Sequence, residues 1–598
     1  MVFPRKTLTR LPRVAATAVL LAGAIAQAAH ASPPSSPVYD SNGRIIQAPF
    51  APGSHARLTK DRALAIFLAD DKVADWLTRY PPAGRSIDAT YDPNPAHCTF
   101  GTAGGCWKVS ITWKQGKRDA GEIAKGRVDD LRGVVTEAFT GPQVAWGMAR
   151  GGPGGFGGKK INSYSVWLGF CAAFLLGLGN FRRLLSWRNL DLVMLLSFSV
   201  SLWFFNRGNV FASAPLAYPP LLYLIARCAW IGFTGRPVRG RPIWPVWMLL
   251  GATVFLAGFR IGLNIEDSNV IDVGYAGVIG AERIAHGVSP YGHFPVEENL
   301  KPCGPPDANG EIRNRIQTNG RCESANPQGD TYGPVSYESY LPGYWVRGWS
   351  GKWDKLPAVH LTSIVVDLLC LVGLGLVGLR FGGPMLAAAL PFAWAADPFT
   401  QYVSSSNTND SIPAAFLIWG FWLVTSAWAR GIFVALSSWT KFATLVVAPM
   451  WLTYPEVRWR PRPLLAYVGG FVVATVAAFS ILLLDPHPIA AAHVFYDRTI
   501  KSQVDRHSPF SLWDWKQYYA RGLPDLHWLQ RILEGLLVVA ALAFAFVPRR
   551  KSPLQLAALT AVLLLGFEVV LTHWFYLYIP WFLPFAAFAL LAPREQPA

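Results

Sequence analysis

The chain has 598 residues, 52% of them apolar and 13% aromatic, with 25 tryptophans and a net charge of +17. That length exceeds one soluble core, and the succession of long apolar runs excludes an ordinary soluble enzyme in favour of a chain that threads a bilayer. The positive balance does not point to nucleic acid. It falls in short clusters between apolar runs, Arg182/Arg183/Arg188, Arg236/Arg239/Arg241, Arg458/Arg460/Arg462 and Arg549/Arg550/Lys551. The positive-inside rule gives cytoplasmic loops this distribution, and no nucleic-acid motif accompanies it.

Residues 1–31 read as a signal sequence: Arg5, Lys6, Arg10 and Arg13, then the apolar Val14–Ala28, then Ala29-His30-Ala31 as a cleavage site. An uncleaved anchor is the alternative, and in either case residue 32 onward starts outside the cytoplasm. Residues 32–150 hold no apolar run of spanning length and are expected to form a small exported α+β domain. Its helix is expected at about Thr59–Tyr80, with Thr59 as N-cap. Strands are expected at Trp107–Lys114, Glu122–Val128 and Gly133–Phe139. The series LTKDRALAIFL, WKVSITW and GRVDDLRGVVTEAFTG resembles a PepSY-like domain, which implies inhibition or protein contacts rather than catalysis. A glycine-rich linker, 151–162, follows; without the Lys-Ser/Thr of a phosphate-binding loop it reads as a tether.

From Ser163 the apolar runs are 163–181, 189–205, 210–232, 243–259, 357–380, 383–400, 411–429, 464–484, 531–547, 553–571 and 574–592. Each is roughly long enough for about 30 Å of hydrocarbon. The fold class expected is therefore an α-helical polytopic membrane protein, with accessory helices over 163–242 and a core over 243–592. The stretch 431–453 disturbs the alternation. If it crossed once, two basic clusters would change sides. It is therefore expected to be broken or re-entrant, with Ser437, Ser438, Thr440 and Lys441 where freed backbone groups need partners. The seven cysteines divide by place. Cys171, Cys228 and Cys370 lie within apolar runs, whereas Cys98 with Cys106 and Cys303 with Cys322 fall in exported segments where disulfides are plausible.

Polar residues with chemical potential gather on the outer side. Glu266, Asp267 and Asp272 stand where a span emerges, and carboxylates held near hydrocarbon default to a functional reading. From Val270 to Gly287 the pattern is helical, with Asp272, Tyr275, Arg283 and His286 along one face, which places the helix in the membrane interface. Tyr291, Tyr332, Asn409, Asp410, Arg506, His507, His573 and Tyr576 lie on the same side. Taken singly, each has an ordinary structural reading as an interface aromatic or a packed histidine.

The series IEDSNVIDVGYAGVIGAERIAHGVSPYG, DTYGPVSYESYLPGYW, NTND, SSWTKFATLVVAPMWL, RHSPFSLW and FYLYIPWFLPF, in that order over 243–592, resembles the GT-C class of polytopic glycosyltransferases. The nearest type is the bacterial polyprenyl-phosphate-mannose-dependent one (glycosyltransferase family 87-like). The resemblance implies a lipid-phosphate sugar donor, transfer at the outer face of the plasma membrane and an essential acid in the first long external loop. That acid maps to Glu266 or Asp267, with Asp272 as second choice. The chain departs from the class in its exported domain and its three extra spans, which leaves the acceptor open among envelope glycans, lipids and proteins.

The residues suit such a reaction. An attacking hydroxyl needs a carboxylate to take its proton, and a departing phosphate needs preorganised cations. Arg283, His286, Arg506 and His507 are the external candidates for the phosphate; Lys441 joins them if its segment reaches the outer face. Tyr275, Tyr291, Tyr332, Asn409, Asp410, His573 and Tyr576 are candidates for holding sugar and polyprenyl. Glu266, Asp267 and Asp272 could hold a divalent cation, but no ligand spacing compels a metal or other cofactor. Two other readings stay open: a transporter or flippase of a lipid-linked substrate, and a regulatory membrane protein governed by the exported domain.

Overall fold

The computed structural model describes residues 56–140 and 160–593 with interruptions, of which 295–313 and 514–523 are the longest, together with Val38–Tyr39 and Ile45–Gln47. The signal sequence, the glycine-rich run 151–158, Cys303, Arg506 and His507 lie outside the described residues.

The N-terminal region is a four-stranded antiparallel meander with two short helices on one face. Helices α1 (Lys60–Leu68) and α2 (Asp71–Leu77) stand where one longer helix is expected. Thr59 caps the first, its hydroxyl accepting the Arg62 N–H at 3.2 Å, and Asp70 caps the second by accepting the Val73 N–H. Side chains such as Asp favour caps over helix interiors because they compete for backbone donors, and so the helix divides there. Strands β1 (Arg85–Asp92), β2 (Cys106–Gln115), β3 (Arg118–Asp129) and β4 (Val134–Thr140) pair in sequence order. Alternate residues of β2, namely Trp107, Val109, Ile111 and Trp113, turn onto Ala63 and Phe67 of α1, the period-two pattern of a half-buried sheet. A disulfide joins Cys98 to Cys106.

The remainder is a bundle of apolar helices. Among the described residues, seven helices are long and apolar enough to cross a membrane: Trp187–Asn206, Ala212–Thr234, Val246–Asp267, Pro357–Ala396, Pro461–Leu484, His527–Phe546 and Pro553–Val570. Shorter apolar helices accompany them at Tyr164–Leu178, Ser411–Trp422, Phe442–Thr453 and Tyr576–Leu591. Large apolar side chains stay exposed along the long helices; Val254 and Phe255 are each 72% exposed. Outside a bilayer such a surface would aggregate, whereas in lipid it is the expected face. The molecule is a multi-pass helical membrane protein with a small α+β region before the helices.

Four helices position the site: α3 (Val246–Asp267), α4 (Asp272–Ala285), α5 (Pro357–Ala396) and α6 (Pro398–Ser406). The expected runs 357–380 and 383–400 form the two helical limbs of α5, which reverse direction at Gly383, and the second run continues into α6. The Gly383 φ of +73° is open to glycine at no steric cost. The reversal brings Asp367 of one limb to the Trp394 indole of the other at 2.7 Å. Arg260 of α3 enters this joint wholly buried. It binds both Asp367 oxygens, at 2.6 and 3.0 Å, and the Thr400 hydroxyl of α6 at 2.8 Å.

The stretch 431–453 is broken, and the structure shows how. Helix α7 (Ala427–Thr440) ends at Lys441, whose backbone is extended, and a 3-10 turn (Phe442–Val447) and a short helix (Ala448–Thr453) lead back. At the break the Thr444 hydroxyl donates to the Lys441 carbonyl at 3.2 Å, while Ser437 ties the segment to the neighbouring helix Ser411–Trp422 by donating to the Pro413 carbonyl at 2.9 Å. Arg430 at the start and Trp451 and Tyr454 at the finish meet again, the guanidinium donating to both carbonyls. The segment therefore goes out and comes back. Its exit lies beside the basic residues Arg549–Lys551, where the Val457 N–H donates to Arg549 O and the Lys551 N–H to Pro455 O. Gly232, four residues before Arg236, joins the same end through Gln555. Basic residues thus mark one end of the bundle, while Glu266, Asp267, Asp272, Asp330 and Asp410 mark the other.

Candidate functional site

The acidic end is assembled by short polar links between helix termini. At the close of α3, the Asn264 amide donates to Ser404 O at 2.6 Å and to the Asn407 side chain at 2.8 Å. Asn407 in turn donates to the Ser268 hydroxyl at 2.9 Å. Asn407 ends α6 in the left-handed conformation (φ 53°), which asparagine tolerates better than most residues. Its two neighbours then turn inward. The Thr408 hydroxyl donates to Asp410 Oδ2 at 2.7 Å, and the Asn409 amide to Ser336 Oγ at 2.6 Å.

Asp410 is 1% exposed and faces Lys441 at 3.2 Å. The break in α7 delivers that ammonium to the acidic end. Three rings surround it: Tyr332 at 5.3 Å, Tyr578 at 5.8 Å and Trp581 at 6.0 Å from their centroids. Aromatic faces attract a cation electrostatically while excluding much of its water. Tyr578 and Trp581 are stacked on each other at 4.3 Å. Tyr332 is held from both sides, its carbonyl accepting the Tyr291 hydroxyl and its N–H donating to the Tyr337 oxygen. The same loop is stapled by Asp330, wholly buried, which accepts the Gly292 N–H at 2.9 Å and the Arg498 guanidinium at 2.5 Å. Arg498 rides on a π-helical turn, Tyr496–Lys501, a form that is rare and often found at functional sites.

Sequence-expected residues thus separate into groups. Lys441, Asp410, Asn409 and Tyr332 come together. Glu266 and Asp267 lie outside that group at the end of α3, Glu266 exposed and Asp267 half-buried. The Asp267 carboxylate accepts the backbone N–H of Lys160, where the chain leaves the linker. Asp272 opens α4, in the first turn where a carboxylate is favoured by the helix dipole. Tyr275 is in the core against Trp349, and Tyr576 is buried with its hydroxyl on Ser201, so both pack between helices. Tyr291 is buried too and acts on Tyr332 through its hydroxyl. His573 meets the Ser508 hydroxyl at 2.9 Å, one ring away from Tyr578. Arg283 is half-buried, and His286 is exposed on α4 with its ring nitrogen 2.8 Å from Glu282 O. The helix lies against protein along much of its length, because Gly277 and Gly280 leave room for the Tyr340 and Tyr337 rings and nothing larger than hydrogen fits there.

Some residues that shape the site escaped the sequence reading. Glu568, wholly buried near the end of Pro553–Val570, accepts the Trp574 indole N–H at 3.0 Å, and Asp410 lies within its electrostatic reach. A lone acid in an apolar run was the available signal. Burial pushes the Glu338 carboxyl, on the loop helix Pro334–Glu338, up to about 7. Among the described residues no group of three or more His, Cys, Asp and Glu side chains is placed to hold a metal ion.

A many-helix membrane protein with a caged lysine at its acidic end is the class that fold and site define. No protein-family description matches the chain, and no curated protein does. Among solved structures it is similar to ArnT from Cupriavidus metallidurans bound to undecaprenyl phosphate. The sequence identity is 15% and the TM-score 0.37, over 57% of this chain and 59% of that one.

Proposed function

We propose that the protein is a membrane glycosyltransferase of GT-C type that moves a hexose or pentose, mannose being one candidate, from a polyprenyl-phosphate donor to a cell-envelope acceptor. The observation that carries this reading is Lys441, an ammonium brought by a broken helix to the acidic end and caged by Tyr332, Tyr578 and Trp581. A polyprenyl phosphate offers an anion at the membrane surface and an apolar chain below it, and this site offers a cation above apolar helix surfaces.

In this reading the basic end faces the cytoplasm of a bacterial plasma membrane and the acidic end faces outward. Lys441 holds the donor phosphate and stabilises its charge as the sugar–phosphate bond breaks. An acid of the Glu266–Asp267–Asp272 corner takes the proton of the attacking hydroxyl. The Asn264–Asn407–Ser268 links fix that corner to the chain leading into Asp410. Mass spectrometry of envelope glycans and polyprenyl-phosphate sugars, with and without the protein, tests the reading. The expected result is loss of one glycan and accumulation of one lipid-linked sugar; unchanged profiles in both pools contradict it.

A further inference from the structure

Lys441 is not waiting free for an anion: it already has one. Its ammonium lies 3.2 Å from the carboxylate of Asp410, which is 1% exposed and is held in place by the Thr408 hydroxyl on its other oxygen. The Asp410 backbone N–H bonds the same hydroxyl at 3.1 Å, so the carboxylate is fixed on a tight turn rather than carried on a mobile loop. The lysine is the flexible partner, with four rotatable bonds and a backbone made extended by the helix break. A cation beside a carboxylate and three aromatic faces is satisfied as it stands. An incoming phosphate must therefore take the ammonium from an existing counter-ion.

We propose that Asp410 is an internal stand-in for the donor phosphate, a counter-ion that parks Lys441 in the empty site and gives it up when a polyprenyl phosphate binds. The inference rests on the reading of Lys441 as the phosphate cation and goes beyond it in assigning Asp410 an opposing role. Without a counter-ion the desolvated ammonium would be costly in the empty protein. With one, affinity is traded for a stable resting state. Two anions competing for one cation oppose each other's binding, and such coupling is typically worth about 5- to 150-fold. Asp410 is a positioning residue on this account, because it acts through Lys441.

The sign of one substitution tests this. Purified full-length protein in lipid nanodiscs is titrated with a polyprenyl monophosphate, and with the corresponding polyprenol as a control lacking the phosphate. The expected pattern is that wild type binds the phosphate over the alcohol, Lys441→Gln loses that preference, and Asp410→Asn binds about fivefold or more tightly than wild type. Asp410→Asn is also expected to lower the melting temperature of the ligand-free protein and to enlarge its rise on ligand addition. Wild-type binding lost in Lys441→Gln but unchanged or weakened in Asp410→Asn would overturn the stand-in role and leave the phosphate reading intact. Equal phosphate binding by wild type and Lys441→Gln would overturn both. If Asp410→Asn does not fold, infrared difference spectra of wild type carrying labelled aspartate replace it. A carboxylate band that shifts on phosphate binding, and does not in Lys441→Gln, supports the exchange; no shift in wild type refutes it.

Discussion

Replacing Arg260 with methionine should damage the protein more than any substitution on its lipid-facing surface. The guanidinium is wholly buried and joins both limbs of α5 to α6: Asp367 at 2.6 and 3.0 Å, the Trp394 carbonyl at 3.2 Å, and Thr400 at 2.8 Å. Methionine fills similar volume but leaves Asp367 as an uncompensated buried charge with the Trp394 indole as its remaining named donor. Breaking a buried pair from one side costs about 3–5 kcal/mol, whereas replacing both partners with apolar residues is often neutral. The assay is thermal unfolding in matched nanodiscs for Arg260→Met, Asp367→Leu and the double variant. Both singles should melt well below wild type, and the double should recover most of the loss. Because this joint ties α3 to the start of α6, sugar transfer should fall in the singles and return in the double. Singles within about 1 kcal/mol of wild type, or a double as damaged as the worse single, would refute the reasoning.

Three further outcomes follow from the geometry. Glu266→Gln, Asp267→Asn and Asp272→Asn should each be assayed for transfer at matched expression; the variant lacking the base should lose about 10²–10⁴ in rate. Near-wild-type rates in all three would remove the corner from the chemistry. Glu338, held near 7 against an ordinary value of 4.5, binds more protons folded than unfolded between those limits. Stability should therefore fall as pH rises from about 4.5 to 7, and Glu338→Gln should flatten that part of the melting-temperature profile. Cys98→Ser opens a short loop in the N-terminal α+β region, costing about 2–3 kcal/mol there; proteolysis of that region should quicken while transfer in the helical core persists.

Much of the scaffold was legible because lipid enforces a simple grammar. Apolar length located the helices, and the clusters at Arg236 and Arg549 marked a common end. The break near Lys441 was legible for the same reason, since Ser437, Thr440 and Lys441 are out of place in an apolar run. Neighbourhood was not legible. Nothing in the spacing of Arg260, Asp367 and Thr400 says that a fold at Gly383 brings them together. Nor does the polar stripe of α4 reveal that glycines on the same helix admit two tyrosines and draw Tyr275 into the core. Glu568 was visible as a lone acid, but its approach to Asp410 depends on which helices pack side by side, and periodicity along one helix carries no such information.

The most direct measurement of the central claim is transfer of a labelled sugar from a polyprenyl-phosphate donor by the purified protein in nanodiscs, with envelope extract as acceptor. The account predicts phosphate-dependent transfer by wild type and a loss of about 10²-fold or more in Lys441→Gln, with that variant still folded by its melting profile. Transfer undiminished in Lys441→Gln, or none by wild type from any polyprenyl-phosphate sugar, would contradict it.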